Sequence, residues 1–326
     1  MPVRDIESEM QRLAALCDGG GDECLQALRK ALRDKVNLMV AKAARIIGQQ
    51  RLRALIPDLA TAFDRVLIDP VKSDPKCWAK EAIAKALKDL DHAESVLFVK
   101  GAAHVQMEPV WGGEEDTATA LRGICTLALL SCTDLTREDK LWAAMRLLTE
   151  ASPSLRKDGA VALESLEGRE AALLLRLKAR MHESDHTVTG QVLESLLRIE
   201  GDRALPFITE FLRHPVQEVR EEAALALGAS RSAAAIELLK NCAVQKHAPV
   251  TLEILFRALA ISRQQQALDF LYEVIRTHRP REVVDALYAL ELHRDSVEIR
   301  SQIIRSIEHR SEPEIRREFE RLFPAS

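Results

Sequence analysis

The feature that most constrains this chain is a short signature that returns at the end of one apolar helix after another. It reads Ala86-Leu87, Ala128-Leu129, Ala162-Leu163, Ser195-Leu196, Ala226-Leu227, Ala258-Leu259 and Ala289-Leu290, with Ile46-Ile47 before the series and Arg321-Leu322 after it. Successive second residues are spaced 40, 42, 34, 33, 31, 32, 31 and 32 apart. A period of this length is the mark of a stacked repeat, and it settles the fold before any local propensity does.

The residues in front of each dipeptide repeat as well. Four positions before the second residue stand Ala43, Ile83, Cys125, Gly159, Val192, Ala223, Leu255 and Ala286. Eight before it, the first six units have Met39, Ala79, Leu121, Leu155, Val188 and Val219. Offsets of four and eight put these side chains on one helix face, and the small ones let a neighbouring helix come close. Between these helices lies a second amphipathic segment, as in Arg203 to Arg213, Ala233 to Cys242 and Ala267 to Ile275. Each unit is thus a helical hairpin of about 30 residues that buries its apolar faces only by stacking on its neighbours.

The run from Gly201 to Ile208, followed by His214-Pro215-Val216-Gln217-Glu218-Val219-Arg220-Glu221-Glu222-Ala223 and on to Gly228, resembles the HEAT-like repeat of phycocyanobilin lyase subunits, and Leu155 to Leu163 matches again. The resemblance is strong from roughly residue 135 to 323 and weaker before. It implies an all-α fold, a right-handed α-solenoid of about eight HEAT-like hairpins, and no particular activity. Tetratricopeptide and ankyrin signatures do not occur.

Residues 1–134 read as divergent repeats and residues 135–326 as regular ones, forming one continuous solenoid. Asp5 to Cys17 reads as an extra capping helix stopped by Gly19-Gly20-Gly21. At the other end Glu314, Glu318 and Arg321 replace apolar stripe residues, so the last helix can face water. The long spacings of 40 and 42 mark insertions at 69–75, bracketed by Pro70 and Pro75, and at 101–116. The second insertion has no helical period and joins Trp111 to Glu114, Glu115 and Asp116. One reading makes it a contact loop with Trp111 as aromatic anchor. The favoured reading is structural: Trp111 fills a gap between mismatched units while the acids start the next helix.

Composition narrows the function classes. With 46 basic against 50 acidic side chains the formal charge is −4, so a dedicated nucleic-acid binder is the minority reading. The six cysteines form no Cys-x-x-Cys pair and read as reduced, mostly buried thiols of a cytoplasmic protein. No signal peptide is evident, and the longest uncharged apolar segment, 123–133, is far short of a membrane span of about 20 residues.

His182-Glu183-Ser184-Asp185-His186 matches the zinc motif His-Glu-x-x-His literally. Aligned on the repeat, however, it falls in the turn between two helices, which separates the two histidines and makes Ser184 and Asp185 capping residues. His214, His247 and His278 recur near equivalent turns, where a helix terminus favours them. No phosphate loop, nucleophile elbow or dinucleotide fingerprint appears, and no metal or cofactor is expected. Arg156, Arg220 and Arg316 follow the first apolar residue of their helices and form a possible ladder for acidic partners, against the favoured reading that they pair with acids between units.

The sequence therefore predicts a non-catalytic HEAT-repeat scaffold or adaptor that binds a protein or peptide on its concave face. Candidate contacts are Trp111, Glu114, Glu115, Arg156 and Arg220. Two alternatives stand beside it. HEAT-like solenoids also include alkyl-base glycosylases, for which Trp78, Trp111 and Trp142 would supply aromatics. The repeat type also suggests a bilin-lyase-like chaperone subunit.

Overall fold

Small residues decide how closely helices of adjacent repeats approach, and the computed structural model, which describes residues 5–245 and 250–324, shows where they are used. A Cβ added to Gly228 would meet the carbonyl oxygen of Ala258 at 2.2 Å, backbone against side chain position, in the next repeat. One added to Gly48 would stand 3.1 Å from the Ala86 Cα. The chain divides into two compact units, Met1–Leu166 and Glu167–Ser326. That division falls beyond position 134, where the repeat spacing becomes regular.

The first unit opens with α1 (Ile6–Asp18), whose N-cap Asp5 accepts from the Ser8 amide. Four hairpins follow: α2 (Asp22–Leu32) with α3 (Asn37–Gln49), and α4 (Ile56–Leu67), through the single turn α5 (Pro70–Ser73), with α6 (Trp78–Asp89). Next come α7 (Ser95–Ala102) with α8 (Thr119–Leu129), and α9 (Arg137–Leu148) with α10 (Pro153–Leu166). Helix α1 packs on α2 and α3, as a cap on the first hairpin should.

The second unit has five hairpins: α11 (Gly168–Arg180) with α12 (His186–Glu200), α13 (Leu205–Phe211) with α14 (Gln217–Ala229), and α15 (Ala233–Ala243) with α16 (Leu252–Ser262). The last two are α17 (Gln265–Thr277) with α18 (Pro280–Leu290), and α19 (Val297–Ile307) with α20 (Pro313–Leu322). Nine hairpins among the described residues exceed the expected eight because nine dipeptides enclose eight spacings. In this unit the second helices α12, α14, α16 and α18 pack successively and more closely than the first helices do. In α20, Ile315, Phe319 and Leu322 are buried while Glu314 and Arg321 face water, which closes the stack.

Two expectations are corrected here. Cys17 and Cys24 are not reduced: they form a disulfide across the triglycine link, with their Cα atoms 4.9 Å apart. Gly20 and Gly21 carry positive φ, which lets the chain reverse and bring the two thiols together. Cys77, Cys125 and Cys132 remain free and buried, and Cys242 is free and partly buried. The 101–116 segment is not an irregular loop. After the end of α7 it forms a β-hairpin of β1 (Met107–Val110) and β2 (Gly113–Asp116), antiparallel, with Met107 opposite Asp116 and Val110 opposite Gly113. No helix among the described residues is long and apolar enough to cross a membrane.

Candidate functional site: a hairpin anchored on two insertions

The two insertions meet. Their junction starts at Asp74, fully buried, in the loop before α6. Lys76 and Cys77 both take left-handed φ, +59° and +61°, a conformation that costs an ordinary residue about 1–3 kcal/mol. This reversal turns Asp74 back over the start of α6, where its carboxylate accepts from the amides of Ala79 and Lys80, each at 2.9 Å. Asn37 Nδ2 donates to the same carboxylate at 2.9 Å, and Lys80 Nζ lies 3.1 Å from it. Lys80 is itself fully buried, and its ammonium also donates to the carbonyls of Val66 and Pro70. A buried ion pair survives only when its remaining donors and acceptors are met in this way.

The hairpin plugs into that loop. Gln106 Nε2 donates to the Asp74 carbonyl at 2.9 Å and to Glu108 Oε1 at 2.7 Å, while the Cys77 thiol donates to Gln106 Oε1 at 3.7 Å. His104 Nε2 lies 3.1 Å from Gln106 Oε1. Glu108 Oε1 also accepts from the Lys76 amide at 2.6 Å and from Thr117 Oγ1 at 2.7 Å. Burial pushes the Glu108 carboxyl up, but these donors, with the Lys80 charge, outweigh burial and hold it below the ordinary carboxylate range. Burial raises the Cys77 thiol to about 12, so it stays protonated.

A second clasp holds the far strand. Asp116 accepts from the amides of Gln106 and Ala118 and from Arg122 Nη1, the last at 2.6 Å. Burial pushes Asp116 up, and these bonds with the Arg122 charge bring it below its usual value. Arg122 in turn forms a two-pronged contact with Glu150 on the link to α10 and donates to the His104 carbonyl.

Above this base the hairpin projects. Trp111 sits in the two-residue turn with Gly112, whose φ of +94° suits glycine, and at 103% relative exposure it is fully open to solvent. The expectation that Trp111 fills a gap is therefore overturned, because the hairpin carries it outward. The acids do not start α8 either: Glu114 and Glu115 are exposed on β2, and only Asp116 reaches the helix start, through the Ala118 amide. Val110 and Met107, with Val105 ahead of the strand, add half-exposed apolar surface.

Trp111, Glu114 and Glu115 are thus brought together, and Arg156 and Arg220 are not with them. Arg156 Nη1 donates to the carbonyls of Glu150 and Ala151, and Arg220 Nη1 to those of His214 and Pro215, the same brace on the preceding turn in two repeats. Lys80 and Arg122 stand at the same offset, seven before the dipeptide's second residue, and likewise bond carbonyls of the preceding segment. Arg316 is exposed.

The His-Glu-x-x-His segment lies in the turn, as the repeat alignment requires. His182 follows the end of α11, Asp185 caps α12, and Glu183 is engaged by Lys178 at 2.8 Å and by the Asp185 amide. His214 Nδ1 accepts from the Val216 amide, His278 ends α17, and His247 lies outside the described residues. Among the described residues no three metal-binding side chains cluster.

Residues 171–260 match the model of HEAT repeats, so the repeat resemblance holds within the second unit. No curated protein matches. Among solved structures, an engineered protein is 16% identical with a TM-score of 0.38, covering 96% of this chain and 90% of that one. The complex of CpcE and CpcF of phycocyanin lyase from Nostoc sp. PCC7120 is 16% identical with a TM-score of 0.34, covering 87% and 92%. Human deoxyhypusine hydroxylase in complex with glycerol is 17% identical with a TM-score of 0.30, covering 91% and 93%.

Proposed function

We propose that this HEAT-repeat chain is a non-catalytic scaffold that binds a protein or peptide partner, with the 107–116 hairpin as a principal contact. One observation carries the reading: a fully exposed tryptophan at the tip of a hairpin whose base is held by buried hydrogen bonds. An isolated two-stranded hairpin is barely stable in water, so the buried base is what keeps Trp111 presented. Aromatic anchors on rigid supports lose little entropy on binding and dominate contact energies.

The chemistry of the base supports a clamp over a reaction centre. Glu108 is held ionised with three donors on one oxygen, and the Cys77 thiol is protonated and buried, so neither is poised to move a proton or attack a substrate. Exposed Glu114 and Glu115 beside Trp111 disfavour a phosphate backbone as the ligand. Within residues 167–326 the closely packed layer of second helices supplies a further surface.

The test is affinity capture with the full chain and a Trp111→Ala, Glu115→Lys variant. The variant is expected to lose partners that the wild type retains. Identical partners on both would remove the hairpin from the contact.

A further inference from the structure

The hairpin has two outer edges, and they are not equivalent. The Thr117 amide donates to the Gln106 carbonyl at 2.9 Å, which fixes that pair as a hydrogen-bonded one. Alternation along the ladder makes Glu108 with Glu115, and Val110 with Gly113, the other bonded pairs. Met107, Pro109, Glu114 and Asp116 therefore direct their backbone groups outward. On the β1 edge Pro109 has no N–H to offer, and a proline there blocks pairing. On the β2 edge the Glu114 N–H and C=O and the Asp116 N–H are available, and no third strand covers them among the described residues. The Asp116 carbonyl is taken by Thr119 Oγ1.

Charge selects the occupant. Glu114 and Glu115 point to opposite faces of the hairpin, both are exposed, and neither pairs with a cation among the described residues. A second copy pairing β2 to β2 would set like charges against each other, which opposes self-association. An extended segment carrying Lys or Arg would satisfy both carboxylates while its backbone completes the ladder. Trp111, in the turn that leads into β2, adds exposed apolar surface at the end of that edge.

We propose that the β2 edge is a strand-addition site for an extended, Lys- or Arg-bearing segment of a partner protein. This rests on the hairpin being a contact at all. Main-chain bonds along β2 supply affinity, and the two carboxylates supply the preference for basic residues.

The experiment is selection of a phage-displayed library of random peptides on the full chain, followed by affinities of the recovered peptides for four proteins. These are the wild type, Glu114→Pro, the Glu114→Lys, Glu115→Lys double variant, and Trp111→Ala. Proline at 114 removes an outward N–H together with the Glu114 carboxylate, both parts of the proposed site, and it faces Pro109, so the hairpin ladder is kept; an unchanged thermal melt checks this. Recovered peptides are expected to be rich in Lys and Arg and to bind Glu114→Pro and the double variant at least about tenfold more weakly. The double variant, which needs no backbone change, is expected to recover acidic peptides in a fresh selection. Peptides that depend on Trp111 but bind Glu114→Pro unchanged would overturn the edge site and leave the hairpin contact standing. Peptides indifferent to every variant, or no recovered peptides, would overturn both.

Discussion

The unit of residues 1–166 and the unit of residues 167–326 stack their helical hairpins in the same way, and the first adds a polar junction that the second lacks among the described residues. In both, successive helices meet backbone to backbone at small residues, Gly48 against Ala86 in the first and Gly228 against the Ala258 carbonyl in the second. In the first, two insertions interrupt the period, and a buried polar network built on Asp74, Lys80, Gln106 and Glu108 ties them together. The polar junction is costlier to bury, and it supports an element that the repeat alone would never produce.

The contrast can be broken first at Lys80. Lys80→Ala leaves the Asp74 carboxylate buried without its cation, and removal of one partner of such a pair costs about 3–5 kcal/mol. Urea denaturation is expected to show this loss, where an exposed pair such as Arg53 with Asp91 would show about 1 kcal/mol or less.

In the second unit the corresponding break is Gly228→Ala. The new methyl meets backbone that cannot swing aside, so overpacking is expected to cost about 1–3 kcal/mol. Gly190→Ala sharpens the point. Its Cβ would meet the end of the Glu222 side chain, which can rotate away, and thermal melts should show a loss under about 1 kcal/mol.

Thr117→Val probes the polar junction more gently by removing one donor from Glu108, at a cost of about 1.5–3 kcal/mol near neutral pH. The folded protein holds Glu108 below its ordinary value, so acid favours the unfolded chain. This contribution is complete above an unfolded carboxyl value of about 4.3 and is lost as pH falls through the lowered folded value. Denaturation at neutral and at strongly acidic pH should therefore show the gap between wild type and Thr117→Val shrinking on acidification.

Trp111→Ala has the smallest expected effect on folding, within about 0.5 kcal/mol, because the ring is fully exposed. Its effect belongs to binding, and a thermal melt that drops by several degrees would show that the ring is structural after all.

The regular repeats were readable because each helix carries its own evidence: the dipeptide, the stripe at offsets of four and eight, and the turn placed at Ser184 and Asp185. The anchored hairpin was only half readable. Trp111-Gly112 marks a turn, but Gly113-Glu114-Glu115-Asp116 after it has no apolar alternation, and a helical period carries no sign of a strand pair. Lys80 and Arg122 stood at the same offset as Arg156 and Arg220 and were legible by that offset alone. Asp74 was not, since its partners Asn37 and Gln106 lie more than thirty residues away on either side and no local pattern joins them. The disulfide was hidden for a similar reason: it depends on the path of the chain through Gly20 and Gly21.

The central claim is that the insertions form one fixed base that presents Trp111. Native-state hydrogen exchange of the Lys76, Gln106 and Thr117 amides, in wild type and in Lys80→Ala, tests it most directly. These amides donate to Glu108, Asp116 and Gln106. The account predicts protection comparable to that of the α6 core in the wild type, and a marked loss at all three together in the variant. Exchange at unprotected rates in the wild type would contradict it.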